Sequence, residues 1–427
     1  MTRQAAPEDV TLVIDSVGVR GDGVARHAGQ PIYVPLTAPG DRVRARLGAK
    51  SGEGRAAELI EVLVPGERAS PVCPHFGACG GCALQHLADD AYRRTKETQV
   101  AAALAQHRLT PEETAPLCRI APGTRRRARF AVQYPRGGAA MIGFNARASH
   151  RLVDLRVCAV LHPAITALLK PLRDAVPRLW PRGASGAATA THGATGIDLL
   201  LDLAAPPDLA ALEALAGFAE AQDLARLSWR APGMAAPTPA AIRRKPRVML
   251  SGVAVDLPAD AFLQASVEAE AVLVAEVLAG LDHAHRVADL FAGLGTFSFA
   301  LAGRAAVHAV DGSRPAVLAL AAAARQAGLP RVGSECRDLE ARPVLAGEFT
   351  RFDAVVFDPP RAGARAQCAE LAKSAVRRII AVSCNPATFA RDARLLVDGG
   401  YRLSRVLPVD QFVWSPHVEL VARFERR

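Results

Sequence analysis

The chain has 427 residues, of which 50% are hydrophobic, and its 52 lysines and arginines exceed its 42 aspartates and glutamates, giving a net charge of +10. This length exceeds one ordinary core, so two or three domains are expected, and the charge favours an anionic partner. The sequence shows neither a signal-peptide pattern nor an uncharged apolar run of membrane-spanning length. We therefore expect a soluble cytoplasmic protein whose eight cysteines stay reduced and serve as metal ligands, catalytic groups or packing residues.

Short strand patterns broken by glycine turns occupy the region from residue 9 to about residue 63. Short strands at close spacing with polar turns predict a small antiparallel β-barrel. Through GDGVA and VPLTAPGDRVRARL, the segment resembles a TRAM domain, an oligonucleotide-binding-type (OB-like) barrel of RNA-modifying enzymes. We assign this barrel to residues 1–65 and expect it to contact RNA. The alternative is a structural β-domain without a ligand.

Three cysteines, Cys73, Cys79 and Cys82, follow in a C-x5-C-x2-C arrangement with glycines between them. Glycines let the backbone fold tightly around a centre and direct its N–H groups at sulfur. Three thiolates this close need a fourth ligand, whether the centre is zinc or an iron–sulfur cluster. The spacing does not choose between them, and His75 or His86 would complete a zinc site.

Cys158, in DLRVCAVLHP, is the distant candidate for the fourth ligand of an iron–sulfur cluster, and Cys118 is the competing cysteine. The cysteine segment resembles the cluster region of the bacterial uridine-5 RNA methyltransferases that modify large-subunit ribosomal RNA. That resemblance implies a [4Fe-4S] cluster held by Cys73, Cys79, Cys82 and Cys158.

The middle of the chain begins with a helical pattern from Asp89 to about Gln106, and residues 123–155 then alternate apolar and basic side chains as hairpin strands do. Arginines interleaved with aromatic rings suit single-stranded RNA, although a solvated sheet face is the alternative. Residues 160 to about 250 show helix and strand patterns without evident chemistry. We assign residues 66–254 to a central α+β, RNA-binding domain with the cluster. The residues of the expected RNA surface are Arg125, Arg126, Arg127, Arg129, Arg147, Arg151, Phe130, Tyr134 and Phe144.

From about Val255 strands alternate with helices, which predicts a doubly wound, Rossmann-like parallel sheet over residues 255–427. RVADLFAGLGTFSFALA reads as a strand, a glycine turn with Gly293 and Gly295, and a helix. Asp311 ends the next strand, where a carboxylate accepts hydrogen bonds from ribose hydroxyls. This pattern fits S-adenosylmethionine as well as a nicotinamide cofactor.

Two later strands also end in chemically useful residues. FDAVVFDPPRAG places Asp358 in a proline-stiffened turn, and RRIIAVS leads directly to Cys384. Because the carboxyl ends of parallel strands line the ligand crevice, we expect both side chains there. Cys384 is the candidate nucleophile, and a packing role is the alternative.

With DLFAGLGTFS, DPPRAGA, SCNPATFARD and SPHVELVARF in this order, nearly the whole chain resembles the uracil-C5 RNA methyltransferase family, most closely its ribosomal RNA branch. The resemblance implies a multi-domain α/β enzyme that transfers a methyl group from S-adenosylmethionine to C5 of a uridine in 23S ribosomal RNA. It implies that Cys384 adds to C6 and that Glu419 removes the C5 proton. The implied cofactor residues are Gln264, Phe291, Gly293, Asp311 and Asp358.

Two positions depart from the family pattern: Thr296 replaces the usual asparagine, and Asp311 the usual glutamate. Both stay polar, so they affect the exact cofactor contacts more than the cofactor itself. Because the nucleophile must be a thiolate, we expect a cation or N–H donors to lower the pKa of Cys384.

Three alternatives remain open at this stage. The same reaction on transfer RNA is one, and a non-catalytic RNA-binding protein of the same fold is another. The third is a nicotinamide-dependent oxidoreductase with an iron–sulfur relay. We expect RNA as the partner, no membrane, no obligate protein partner, and a monomer.

Overall fold

The structure, a computed structural model, describes residues 8–281 and 283–426. Its strands form an N-terminal, a central and a C-terminal sheet together with a short hairpin, and helices cover the two later sheets. Residues 1–7 of the predicted barrel, and Asp282 and Arg427 of the predicted C-terminal domain, lie outside the described residues. Across the described ranges, none of the helices combines the length and apolar composition that crossing a bilayer requires.

The N-terminal sheet is built mainly from antiparallel strands in the spatial order β1-β5-β6-β4-β3-β2, with a short parallel contact between β4 and β6. Burial alternates along β1, as expected for a strand with one face on a core. Val10, Leu12, Ile32 and Val43 belong to that core. The strands are β1 (Asp9–Val13), β2 (Ser16–Val17), β3 (Gly23–His27), β4 (Gln30–Val34), β5 (Arg42–Ser51) and β6 (Gly54–Val64).

Helix α1 (Asp89–Gln106) and the strands β7 (Glu113–Thr114) and β8 (Cys118–Arg119) follow the cysteine segment. The helix has the bounds that its sequence pattern predicts. Both short strands pair in parallel with a strand near the C-terminus, at 402–410. Apolar side chains of α1 belong to the core of the C-terminal sheet. This stretch, which the sequence places within 66–254, therefore packs on the C-terminal sheet.

The central sheet has the order β11-β10-β9-β12-β13-β14-β15. Side chains of α2, α3 and α4 share a core with the sheet, including Leu172, Leu215 and Leu199. The elements are β9 (Arg127–Tyr134), β10 (Met141–Asn145), β11 (Leu152–Asp154), α2 (Pro163–Ala167), α3 (Leu169–Leu179), β12 (Ala184–Gly193), β13 (Gly196–Asp202), α4 (Leu209–Ala221), β14 (Arg226–Arg230) and β15 (Thr238–Ile242).

The basic and aromatic surface expected on this hairpin is not formed as predicted. Phe130 is 0% and Tyr134 8% exposed, because β9 alternates and turns both rings into the core. Arg126 is buried as well, and neighbouring arginines are neutralised by carboxylates. These residues therefore do not offer stacking rings to RNA. The ion pairs are Arg126–Glu270, Arg127–Asp260 and Arg129–Asp202, each at 2.6 Å.

The C-terminal sheet has the order β20-β19-β18-β21-β22-β24-β23-β7, and β8 also pairs with β23. A hairpin of β16 and β17 precedes it. The elements are β16 (Arg247–Leu250), β17 (Val253–Asp256), α5 (Val267–Gly280), β18 (Arg286–Leu290), α6 (Thr296–Leu301), β19 (Ala306–Asp311), α7 (Arg314–Gln326), β20 (Val332–Cys336), a 3-10 helix (Ala346–Arg351), β21 (Ala354–Phe357), α8 (Arg365–Lys373), β22 (Arg378–Ser383), α9 (Pro386–Asp398), β23 (Arg402–Asp410) and β24 (Glu419–Glu425).

Strands β18 to β22 run parallel, while β24 inserts antiparallel between β22 and β23. One core cluster joins the sheet to α8 and α9, and another joins it to α5 and α6. Helices therefore lie on both faces, as in the doubly wound fold predicted. The strand order reverses between β18 and β21, and ligands bind sheets of this kind at such a switch point.

Candidate active site

The carboxyl ends of the central parallel strands bring the predicted residues to one edge of the sheet. Asp358 directly follows β21, and Cys384 directly follows β22. Glu419 begins β24, which is antiparallel, so its amino end lies at the same edge. Ser383 pairs with Leu420, which places Glu419 across from Cys384 on the neighbouring strand. Residues far apart in sequence thus meet at the edge of the sheet where the switch point lies.

The turn after β18 has an unusual backbone. Phe291, Gly293 and Gly295 have φ values of 58°, 55° and 97°, in the left-handed region that glycine adopts without penalty. The Gly293 N–H donates to Oδ2 of Asp311 at 2.9 Å, which ties the turn to the end of β19. A Cβ atom added at Gly293 would meet no atom within 4 Å, so open space lies beside this backbone. The turn therefore has room for a ligand.

Asp289, inside β18, is a site residue that the sequence analysis missed. It is 0% exposed, and the Ser298 hydroxyl donates to its Oδ2 at 2.6 Å. Its Oδ1 has no hydrogen-bond partner among the described residues. Burial, together with the nearby carboxylates of Asp358 and Asp311, raises the pKa of Asp289 to about 7, so the three carboxyl groups lie close enough to influence one another. The signal in the sequence was an acid within an apolar strand.

A chain of hydrogen bonds connects Asp358 to Glu419. Nε2 of Gln264 donates to Oδ2 of Asp358 at 2.7 Å. Nε2 of Gln411 donates both to Oε1 of Gln264 at 3.1 Å and to Oε2 of Glu419 at 2.5 Å. Gln411 was not identified from the sequence, because a single glutamine in PVDQFVW has no motif to mark it. The chain joins the predicted cofactor residues to the predicted base.

Glu419 is 2% exposed, and its Oε1 has no hydrogen-bond partner among the described residues. Burial raises its pKa well above the usual value, the Asp358 carboxylate raises it further, and the hydrogen bond from Gln411 lowers it. A carboxylate with a raised pKa is a stronger base once it is ionised. The free oxygen leaves a site for that proton.

The electrostatics around Cys384 contradict the expectation that its pKa is lowered. Burial raises the pKa of this half-buried thiol to about 11, and Glu419 and Asp358 contribute to the increase. The guanidinium of Arg361 acts in the opposite direction but does not outweigh burial and two carboxylates. The free protein therefore holds Cys384 mainly as the thiol near neutral pH.

Alkylation of Cys384 by iodoacetamide should accelerate about tenfold per pH unit from about pH 7 to about pH 10, because only the thiolate reacts. The Glu419→Gln variant should react faster than wild type at about pH 9, since it removes a carboxylate that raises the thiol pKa. Mass spectrometry of the Cys384 peptide gives the rate, with exposed Cys336 as the internal control. A rate that levels off below about pH 9 would contradict the raised pKa.

An exposed cation stands at the rim of the site. Arg361 lies in the turn after Asp358, and its guanidinium contacts Nδ1 of His417 at 3.2 Å. Burial and the nearby charge of Arg361 together lower the pKa of His417 to about 4, so the imidazole is neutral near pH 7. The ring is neutral, so within the described part of the chain Arg361 has no ion-pair partner, and its positive charge acts on Cys384.

The predicted cluster ligands come from two separate segments and approach one another. Burial raises the pKa of Cys79, and the thiols of Cys158 and Cys73 raise it further. The pKa of Cys82 is raised by burial and also by the other three cysteines. Nevertheless, within residues 8–281 and 283–426 no group of three or more His, Cys, Asp or Glu side chains is arranged to hold a metal ion.

The other candidate ligands of the metal centre, His75, His86 and Cys118, have different surroundings. The Gly81 N–H points at Sγ of Cys79 at 3.4 Å. Nε2 of His86 bonds the Thr37 carbonyl at 3.0 Å, and Nε2 of His75 accepts from a backbone N–H at 3.2 Å. Cys118 lies in β8, paired with β23, away from the other thiols. Each imidazole thus has one nitrogen engaged, while Nδ1 of His86 is buried without a hydrogen-bond partner among the described residues.

Known proteins resemble this chain in sequence and in fold. Residues 344–427 match the family model described as tRNA (Uracil-5-)-methyltransferase. A protein from Caulobacter vibrioides, named an uncharacterized RNA methyltransferase, is 44% identical over 97% of this chain and 99% of its own length. The 23S rRNA (uracil(1939)-C(5))-methyltransferase RlmD from Chromohalobacter salexigens is 37% identical over 96% of this chain and 87% of its own length.

A solved structure shares the overall fold. It is the Pyrococcus abyssi tRNA (uracil-54, C5)-methyltransferase in complex with S-adenosyl-L-homocysteine. The two folds align with a TM-score of 0.75 at 23% sequence identity, covering 97% of this chain and 99% of the other. The likeness extends over all three sheets.

Proposed function

Because the chain belongs to the uracil-C5 RNA methyltransferase family and is an S-adenosylmethionine-dependent enzyme of that kind, we propose that it methylates C5 of a uridine in 23S ribosomal RNA through a covalent bond to Cys384. The observation that carries this proposal is the placement of Cys384 and Glu419 at the ends of adjacent strands, at the same edge of the sheet as the open glycine turn. A nucleophile and a base within one crevice are what this substitution requires.

The role of Cys384 follows from the poor nucleophilicity of uracil C5. The thiolate adds to C6, and the electron pair of the C5=C6 bond moves toward C5 and O4, which makes C5 nucleophilic. When bound, S-adenosylmethionine supplies the methyl group that C5 then takes up. Because the pKa of Cys384 is raised, only a small fraction of the free protein carries the thiolate. Substrate either binds to that fraction or, by binding, increases it. The positive charge of Arg361 acts in that direction.

The role of Glu419 is to complete the substitution. Methylated C5 still carries its hydrogen, so a base must take that proton before the C5=C6 bond re-forms and the thiolate leaves C6. Glu419 has one oxygen held by Gln411 and one without a partner among the described residues. A proton accepted at the second oxygen restores the uracil ring and releases Cys384.

The cofactor residues that we propose occupy the same edge. Phe291 and Gly293 form the open turn. Asp311 accepts the Gly293 and Ser313 N–H groups, one on each oxygen, and its remaining lone pairs would accept from ribose hydroxyls. Gln264 and Asp358 bond each other at 2.7 Å between the turn and the base. Oδ1 of Asp289 is buried and has no hydrogen-bond partner in the described ranges. Open space lined by acceptors fits a cationic, ribose-bearing cofactor.

We also propose that Cys73, Cys79, Cys82 and Cys158 hold a [4Fe-4S] cluster. Support comes from the effect of these thiols on the pKa of Cys79 and Cys82, and from the Gly81 N–H group directed at Sγ of Cys79. The cluster would cross-link residues 70–87 to the central sheet without taking part in methyl transfer.

Removal of one cluster ligand gives a direct test. Wild type purified without oxygen should contain about four irons per chain and absorb near about 400 nm. Cys158→Ser should lose most of the iron and the absorption, while Cys118→Ser, in a cysteine remote from the others, should keep both. Zinc in place of iron, or an unchanged Cys158→Ser protein, would contradict the assignment.

The remaining parts of the chain are assigned to RNA. We propose a TRAM-like barrel over 1–65, a central RNA-binding domain over 66–254 and a methyltransferase domain over 255–427, acting as a monomer in the cytoplasm. Within the central segment, residues 89–119 pack on the C-terminal sheet. The net charge of +10 supports binding to a polyanion. The 37% identity to RlmD over 96% of this chain supports 23S ribosomal RNA.

A comparison of two RNA substrates tests which RNA the enzyme methylates. Methyl incorporation into a 23S ribosomal RNA transcript should exceed that into transfer RNA by at least about tenfold in kcat/KM. The measurement uses labelled S-adenosylmethionine and digestion to nucleosides, with the Cys384→Ala protein as the blank. A preference for transfer RNA would overturn the ribosomal assignment, and methylation of neither RNA would contradict the proposed substrate class.

A further inference from the structure

Gln411 connects the candidate base to the candidate cofactor residues. It is 5% exposed, and its Nε2 donates to Glu419 at 2.5 Å and to Oε1 of Gln264 at 3.1 Å. Its Oε1 accepts the backbone N–H of Ala265 at 3.1 Å. Both ends of the amide are therefore engaged, and rotating the amide would break all three bonds. A buried amide satisfied in this way has one orientation.

The amide holds one oxygen of Glu419 and leaves the other one free. Oε2 of Glu419 accepts from Gln411, whereas Oε1 has no partner among the described residues. Resting on the proposed function, we propose that Gln411 is a positioning residue that fixes the Glu419 carboxylate for removal of the C5 proton. A base must lie within hydrogen-bond reach of its proton, so orientation governs its rate.

The residue before Gln411 anchors the segment from outside the site. Nζ of Lys96, which is 0% exposed, bonds Oδ1 of Asp410 at 2.8 Å, and it also donates to the His417 carbonyl. The Tyr92 hydroxyl donates to Oδ2 of Asp410 at 2.5 Å and accepts the Trp414 N–H at 2.9 Å. Breaking a buried ion pair is costly, so α1 fixes this segment in one place. Gln411 is thus held before substrate binds.

The hydrogen bond from Gln411 also favours the charged form of the base. Without this donor the pKa of Glu419 rises further, because burial and Asp358 already oppose ionisation. The base must be ionised to act. In a variant that lacks the amide, the acid limb of the pH–rate profile for proton removal should therefore move to higher pH. A purely structural role would leave that limb unchanged.

The test compares Gln411→Met with Gln367→Met under single-turnover conditions, using RNA that carries tritium at uridine C5. Gln367, in α8, is the matched control. It is 1% exposed, and its amide hydrogen-bonds the N–H and carbonyl groups of Val344 at 2.9 and 3.0 Å. Two quantities are measured in each reaction: protein–RNA adduct stable to denaturation, and tritium released to water. Their ratio is independent of the fraction of folded protein.

Gln411→Met should form adduct but resolve it at least about tenfold more slowly than wild type, with the acid limb shifted upward. Gln367→Met should keep the wild-type ratio. The same ratio and pH limb in Gln411→Met as in wild type would overturn the inference. If Gln411→Met does not fold, Gln411→Asn, whose amide is too short to reach both partners, is expected to behave in the same way. Absence of adduct and tritium release in wild type would overturn the proposed function itself.

Discussion

Replacing Cys384 with alanine is expected to lower methyl transfer to RNA by at least about 10⁴-fold, the size of effect seen when a covalent nucleophile is removed. Without addition of a thiolate at C6, C5 of uracil has too little electron density to accept the methyl group. The side chain is half-buried at the end of β22, so its loss leaves the sheet intact. The effect should therefore appear in kcat rather than in folding.

The measurement is incorporation of labelled methyl groups into RNA, together with release of tritium from C5. Cys118→Ser is the control, since this partly buried cysteine packs against β23 and serine has nearly the same volume. It should retain activity within about twofold of wild type. Activity of Cys384→Ala within about tenfold of wild type would exclude a covalent route through this residue.

Replacing Glu419 with glutamine is expected to stop the reaction after methyl transfer. The thiolate still adds to C6, but the neutral amide cannot take the C5 proton, and turnover should fall about 10²- to 10⁴-fold. Methylated RNA should then remain bonded to Cys384. This behaviour differs from that of Cys384→Ala, which should form no adduct.

Protein–RNA adduct is measured on denaturing gels, followed by mass spectrometry of the linked peptide. Glu425→Gln is the matched control, because it lies on the same strand, β24, and pairs with Arg402 at 3.2 Å on the surface. It should turn over normally and accumulate no adduct. Normal turnover of Glu419→Gln would show that another group removes the proton.

The sequence predicts those parts of the fold that depend on local patterns. The helical pattern from Asp89 to Gln106 coincides with α1. Alternation of strands and helices after Val255 predicts the doubly wound sheet, because buried parallel strands are apolar throughout. Asp358 and Cys384 are predictable as crevice residues since each directly follows such a strand. Local periodicity and strand ends thus carry most of the architecture.

Features that depend on distant partners were not predictable. Lys96 and Asp410 are 314 positions apart, and nothing near either residue indicates a buried ion pair. Gln411 matters only because Gln264 and Glu419 lie beside it in space. The sequence predicts Phe130 on a basic surface, but packing of β9 against α3 decides which face of the strand this ring occupies. Likewise, the high pKa of Cys384 results from carboxylates on neighbouring strands.

The measurement that tests the covalent account most directly follows methyl incorporation and tritium release in the same reaction, with wild-type protein and RNA labelled at uridine C5. The account predicts one tritium released for each methyl group gained, 5-methyluridine as the product nucleoside, and a transient adduct through Cys384. Methyl incorporation without tritium release, or release without any adduct at Cys384, would contradict it.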